Sequence, residues 1–163
     1  MRMRWWIAFG FLATAVGTLL AGQLGFFRGT PPGDLGVRAG MLKRPSATAN
    51  SVSSQAHLWS GHAQGEQARI APLPLLRGDG LATIAWLRAL LQEQPGTIVV
   101  DSRPDYLYVQ CETRLMKFVD DVEFWFDASS GVIQVRSASR VGRYDFGVNR
   151  RRIEELRNQL AVP

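Results

Sequence analysis

Cysteine, histidine and lysine are nearly absent: one, two and two among 163 residues. A single cysteine, Cys111, excludes a disulfide framework within the chain and any cysteine-built metal cluster. His57 and His62 stand five apart; a metal site would need further ligands, and no paired acid or cysteine lies nearby. There is no Gly-rich phosphate loop. No metal and no cofactor is expected. Positive charge is missing where a nucleic-acid binder needs it. The whole chain is +5, but residues 1–44 carry six basic residues against Asp34, and residues 45–163 carry thirteen of each sign. The excess belongs to the N-terminal part, and a neutral domain is a poor match for a phosphate backbone. No nucleic-acid partner is expected. Disorder is excluded too, since 46% of residues are hydrophobic and only 20% charged.

What is present begins with a run of 23 residues, 5–27, without a charge. As a helix it would be roughly 34 Å long, enough for a hydrocarbon core of about 30 Å. Trp5, Trp6, Phe26 and Phe27 lie at its two ends, where aromatic rings suit the headgroup level. A cleaved signal peptide is the rival, but the run is long for its apolar region and Leu19 fits poorly two positions before a cut at Ala21. Gln23 stands where a lipoprotein would need its cysteine. The expectation is an uncleaved membrane anchor over residues 1–27. Arg2 and Arg4 favour a cytoplasmic N-terminus and an extracytoplasmic domain, against the pull of Arg28, Arg38, Lys43 and Arg44. Ala13, Gly17, Ala21 and Gly25 repeat at i, i+4, a stripe that would let two such helices approach as a homodimer.

Residues 28–69 are rich in Gly, Pro, Ser, Ala and Thr and lack sustained periodicity. They read as a flexible linker. Residues 70–163 read as a single α+β domain. Leu81–Gln92 predicts a helix capped by Asp79, with Leu81, Ile84, Leu87 and Leu91 on one side. Four strands follow: 97–102, 105–113, 118–127 and 132–140. In the second hairpin, a turn at 128–131 opposes Phe124 to Val135 and Phe126 to Ile133 on one face, and Glu123 to Arg136 on the other. In the first hairpin the pairing expected is Val100 with Leu107 and Ile98 with Val109, with Cys111 continuing that apolar face as a buried, inert thiol. Residues 150–160 predict a last helix with Asn149 as its cap. The result is an antiparallel sheet of at least four strands, amphipathic helices on one face, the other face polar and partly wet.

Two stretches are the most unusual, Phe118-Val119-Asp120-Asp121-Val122-Glu123-Phe124 and Val135-Arg136-Ser137-Ala138-Ser139-Arg140-Val141-Gly142, the latter followed by Asp145-Phe146-Gly147-Val148-Asn149-Arg150-Arg151-Arg152. With Asn50–Ser54 and Ile70–Leu73, they resemble an uncharacterised family of bacterial and plastid proteins, the domain of unknown function numbered fourteen-ninety-nine. The resemblance spans roughly residues 45–160. It implies a membrane-attached or exported protein and brings no assigned activity.

Charge is segregated along these stretches: residues 101–127 are −4 and residues 136–163 are +4. One expectation is structural, with Arg136 and Arg140 bridging to Glu123, Asp121 and Asp120, and with Asp145 and Asn149 bracing the turn and capping the last helix. The other is a site, with Ser137, Ser139, Arg140, Arg143, Arg150 and Arg152 converging where strand meets helix to bind an anion or a phospholipid headgroup. A hydrolase is the third reading and the poorest supported. The domain body has no histidine, Lys117 is its only lysine, and adjacent Asp120 and Asp121 point to opposite faces of a strand. The sequence as a whole predicts a membrane-tethered, non-enzymatic module of the cell envelope that meets an unidentified protein or lipid partner.

Overall fold

The computed structural model describes residues 2–161, with side chains from residue 5 onward. Helix α1 runs Arg2–Gln23. Its stretch Trp5–Gln23 has mean hydropathy 1.6, is almost wholly uncovered by protein, and is long and apolar enough to cross a membrane. Thr14 and Thr18 donate to the carbonyls of Gly10 and Thr14 at 2.9 and 2.8 Å, so neither hydroxyl needs water. Gly25, at φ +84°, ends the helix in the left-handed conformation that only glycine adopts cheaply. It therefore lies off the helix, and the expected small-residue stripe stops at Ala21.

The domain is a five-stranded antiparallel sheet in the order β1-β5-β4-β3-β2, built from β1 Ser51–Ser53, β2 Thr97–Arg103, β3 Tyr106–Glu112, β4 Val119–Asp127 and β5 Val132–Ser139. The second hairpin has the predicted register, with Phe124 opposite Val135, Phe126 opposite Ile133 and Glu123 opposite Arg136. Helices α3 Gly80–Gln92 and α4 Val148–Leu160 cover one face. Their Ile84, Leu87, Leu91, Ile153 and Leu156 join Leu107, Val109, Val122, Phe124 and Val135 in one core. Each such side chain contributes about 1.5–3 kcal/mol by leaving water. Asp79 caps α3 by accepting from the Ala82 N–H at 2.9 Å. Gly80 must be glycine, because a Cβ there would fall 2.2 Å from the ring of Phe126. Cys111 is buried, and burial pushes its thiol above the ordinary range.

Three expectations are corrected. First, the β2–β3 register differs: Val99 pairs with Val109 and Thr97 with Cys111, Val100 is bulged out, and Ile98 and Val100 face solvent. Thr97–Val100 offers β-branched side chains to both faces, so periodicity could not choose between registers one residue apart; the bulge did. Leu81 is likewise exposed. Second, residues 28–69 are not a loose tether. They hold β1, paired to β5 through Val52 and Ser137, and a short α2, Gly65–Ala68. Leu42, Val52, Ala56 and Ala68 are buried. Arg150 donates to the carbonyls of Gln67 and Arg69 at 2.9 and 2.8 Å, and Arg157 to those of Ala71 and Pro72 at 2.7 and 2.5 Å. Such clips fasten an irregular segment without periodicity of its own. Third, the polar face of the sheet is more covered than expected: Gly36 bonds Glu123, and Leu35, Val37 and Leu42 pack on Tyr106 and Tyr108, while Gln110 and Trp125 stay partly exposed.

Candidate functional site

Alternation along the strands sends every second residue to the face away from α3 and α4. On that face β3 places Tyr106 and Tyr108, β4 places Asp121 and Glu123, and β5 places Arg136, with Arg140 just past its end. Glu123 is fully buried and Arg136 is 4% exposed. The Glu123 Oε1 accepts from the backbone N–H of Gly36 at 2.7 Å and from the Tyr106 hydroxyl at 2.8 Å. Its Oε2 faces the Arg136 Nη1 at 3.6 Å, and neither atom has a hydrogen-bond partner among the described residues. The Arg136 Nε donates to the Arg44 carbonyl at 3.3 Å. Burial holds the Glu123 carboxyl above its ordinary value and the Arg136 guanidinium below its own, each partly opposed by the other's charge. Burial, with Glu123 beside it, also holds the Tyr106 phenol far above the usual range.

Arg140 forks onto Asp121, Nε to Oδ2 at 2.9 Å and Nη2 to Oδ1 at 2.7 Å. That hydrogen bonding raises its affinity for the proton. The Tyr108 hydroxyl also donates to Asp121 at 2.5 Å. Beside this layer opens a cavity of about 330 Å³, lined by Thr30, Lys43, Arg44, Arg136, Arg140 and Asp121 among others. Lys43 bonds Asp34, whereas the exposed Arg44 side chain makes no ion pair among the described residues.

The opposite face carries a second polar cluster beneath α4. Arg152 Nη2 donates to Asp120 at 2.7 Å, and its Nη1 to the Ser137 hydroxyl and Asn149 Oδ1 at 3.1 Å each. Ser137 donates to Asn149 Oδ1 at 2.5 Å, and Asn149 Nδ2 donates to Ser139 at 3.0 Å and to the Asn50 carbonyl at 3.1 Å. Asp145 accepts from the N–H groups of Gly147 and Asn149 at 3.0 and 2.9 Å. Burial alone would raise its pKa, but these bonds hold it below the ordinary value. Asn149 is thus not the cap of α4. It lies inside the helix as a buried brace, and Asp145 satisfies the first N–H groups.

The chain matches the family model described as protein of unknown function (DUF1499) over residues 41–160. It belongs to that family. The matched stretch begins at Met41 and so includes Leu42 and β1, in keeping with the folding of this segment onto the domain. No curated protein and no solved structure matches.

For this DUF1499 chain, the six residues expected to converge on an anion do not all meet. Ser137, Ser139 and Arg152 come together under α4 through Asn149; Ser139 and Arg140 both border the cavity on the far side; Arg150 is spent on carbonyls and Arg143 is exposed. The expected bridges from Arg136 to Glu123 and from Arg140 to Asp121 are present. Asp120 pairs instead with Arg152, because it points to the helix face. The sequence reading missed Tyr106, Tyr108, Lys43 and Arg44. The two tyrosines had a signal, alternating with Leu107 and Val109 in β3. Lys43 and Arg44 had none, since their place depends on how an irregular segment crosses the sheet.

Proposed function

We propose that this chain is a single-pass membrane module of the cell envelope without catalytic activity, its domain on the extracytoplasmic side of the cytoplasmic membrane, where it binds phosphate-bearing lipid headgroups. One observation carries the reading: the apolar helix is bolted to the domain. The Gln23 side-chain amide donates to the Leu115 carbonyl at 2.7 Å. Gly22 is packed so close to Met116 that a Cβ would lie 3.0 Å from its carbonyl oxygen. Arg28 pairs with Glu112 at 3.1 Å. A helix so joined holds the domain within a few ångströms of any bilayer it crosses. The cation-lined cavity begins at Thr30, two residues beyond Arg28, and its Arg44 is unengaged. The mutual pairing of Asp121, Glu123, Arg136 and Arg140 supports a non-enzymatic role, since groups locked on each other are poorly placed to shuttle protons.

The full-length chain in nanodiscs tests this. With anionic phosphatidylglycerol in place of part of the phosphatidylcholine, the domain's thermal midpoint should rise by several degrees, as any ligand of the folded state demands. The rise should vanish when Lys43 and Arg44 are both replaced by glutamine. Equal midpoints in neutral and anionic discs would remove the headgroup reading. Release of the chain from membranes by alkaline washing would remove the anchor.

A further inference from the structure

Exposed apolar side chains are scattered over most of the domain, but at one end they gather. Where α1 joins the domain, Leu24 is 77% exposed and Phe26 75%; beside them, on the β3–β4 loop that receives Gln23, Leu115 is 64% exposed. Phe27 stacks on Phe118 at 5.4 Å between ring centres. Phe118 in turn lines a mainly apolar groove of about 230 Å³ with Val141, Tyr144, Phe146 and Val148. The 113–118 and 141–148 loops therefore share one surface with the end of the apolar helix.

The two loops are built to present these side chains. Phe146 is 79% exposed and has φ +53°, a conformation costly for a bulky residue. Its backbone is held there from both sides. Arg151 donates to the Phe146 carbonyl at 2.8 Å, and the next N–H, of Gly147, is taken by Asp145 at 3.0 Å. Tyr144 packs edge-on against its ring at 5.2 Å. In water an exposed aromatic in a strained turn gains nothing. Arg114 and Arg143 are exposed on the same two loops, and Arg28 and Lys117 reach Glu112 close by. Apolar tips with cations around them are the pattern of a surface that rests in the headgroup and upper acyl layer of a bilayer.

We infer that these two loops are a second membrane contact. Leu115, Tyr144 and Phe146 enter the lipid beside the point where α1 emerges, and together with the anchor they hold the domain in one orientation to the bilayer. This rests on α1 crossing the membrane, as proposed above, but adds a contact that a helix and domain merely linked in series would lack.

The test labels the full-length chain in proteoliposomes with an environment-sensitive fluorophore at Leu115→Cys, Phe146→Cys or Ser130→Cys. Ser130 lies in the turn at the opposite end of β4, about 25–30 Å away by strand rise. The unsubstituted chain, with Cys111 buried, is the blank. All three positions are exposed, so the core is untouched. Lipids bearing nitroxides on their acyl chains should quench the labels at 115 and 146 at least twofold more than the label at 130. Quenching at 115 and 146 no greater than at 130, in liposomes from which alkali does not extract the chain, would overturn the second contact and leave the anchor standing. Extraction by alkali would overturn both.

Discussion

The two faces of this sheet are made by the same strands from alternate residues, yet they are buried in different ways. One is apolar and lies under two helices; the other is charged and lies under coil. Under α3 and α4 the interactions are non-directional, so each side chain depends on shape and buried area and not on one particular partner. On the far face Glu123, Arg136, Asp121 and Arg140 are as deeply buried, but each depends on one particular partner. Burying such pairs gains little net stability, while removing one member leaves a charge without compensation. The apolar face supplies the stability of the domain, and the charged face specifies how residues 34–47 lie on it.

The largest effect should come from a neighbouring pair in β4. Glu123→Gln, which keeps an acceptor for Gly36 and Tyr106 but leaves Arg136 unpaired, should cost about 3–5 kcal/mol. Phe124→Leu, one residue along on the apolar face, should cost about 1–1.5 kcal/mol. Chemical denaturation measures both. Adding Arg136→Met to Glu123→Gln should recover much of the loss, and independent, additive losses would contradict the view of this face as a paired layer. An intermediate effect is expected from Gly80→Ala. It should cost about 1–3 kcal/mol by overpacking against Phe126, although alanine is the better helix former, so an unchanged denaturation midpoint would show that α3 can slide on the sheet. The smallest is Asp145→Ala, about 0.5–2 kcal/mol from the lost bonds at the start of α4. Its pH dependence has a definite sign. The Asp145 pKa is depressed on folding from 3.8, so its contribution is present above that value and fades as pH falls through the lower folded value. The gap between wild type and variant should close in acid. Glu123 runs the other way, since its raised pKa removes stability as pH rises from 4.5 through the folded value.

Legibility followed the same division. The β4–β5 register, the α3 cap at Asp79 and the Ile84, Leu87 and Leu91 stripe of α3 were readable because each is a local pattern with a single low-energy reading. The Glu123–Arg136 bridge was readable because the register opposes the two residues, and the Asp121–Arg140 bridge because the two strand regions carry opposite charge. The β2–β3 register was not, as both alternatives buried β-branched residues. Nor was the Arg152–Asp120 pair, which needs the position of α4 over the sheet.

By itself, the order of residues determined an apolar N-terminal helix, an antiparallel sheet with one apolar face, and two strand regions of opposite charge, because periodicity and local capping act over a few residues. Only the tertiary structure decided that residues 28–69 are part of the domain, that the Ser/Arg stretch is divided between two faces, and that α1 ends against the loops carrying Leu115 and Phe146. Those outcomes depend on contacts between segments 92 positions apart, such as Gln23 with Leu115 and Arg136 with Arg44. No short-range pattern encodes them.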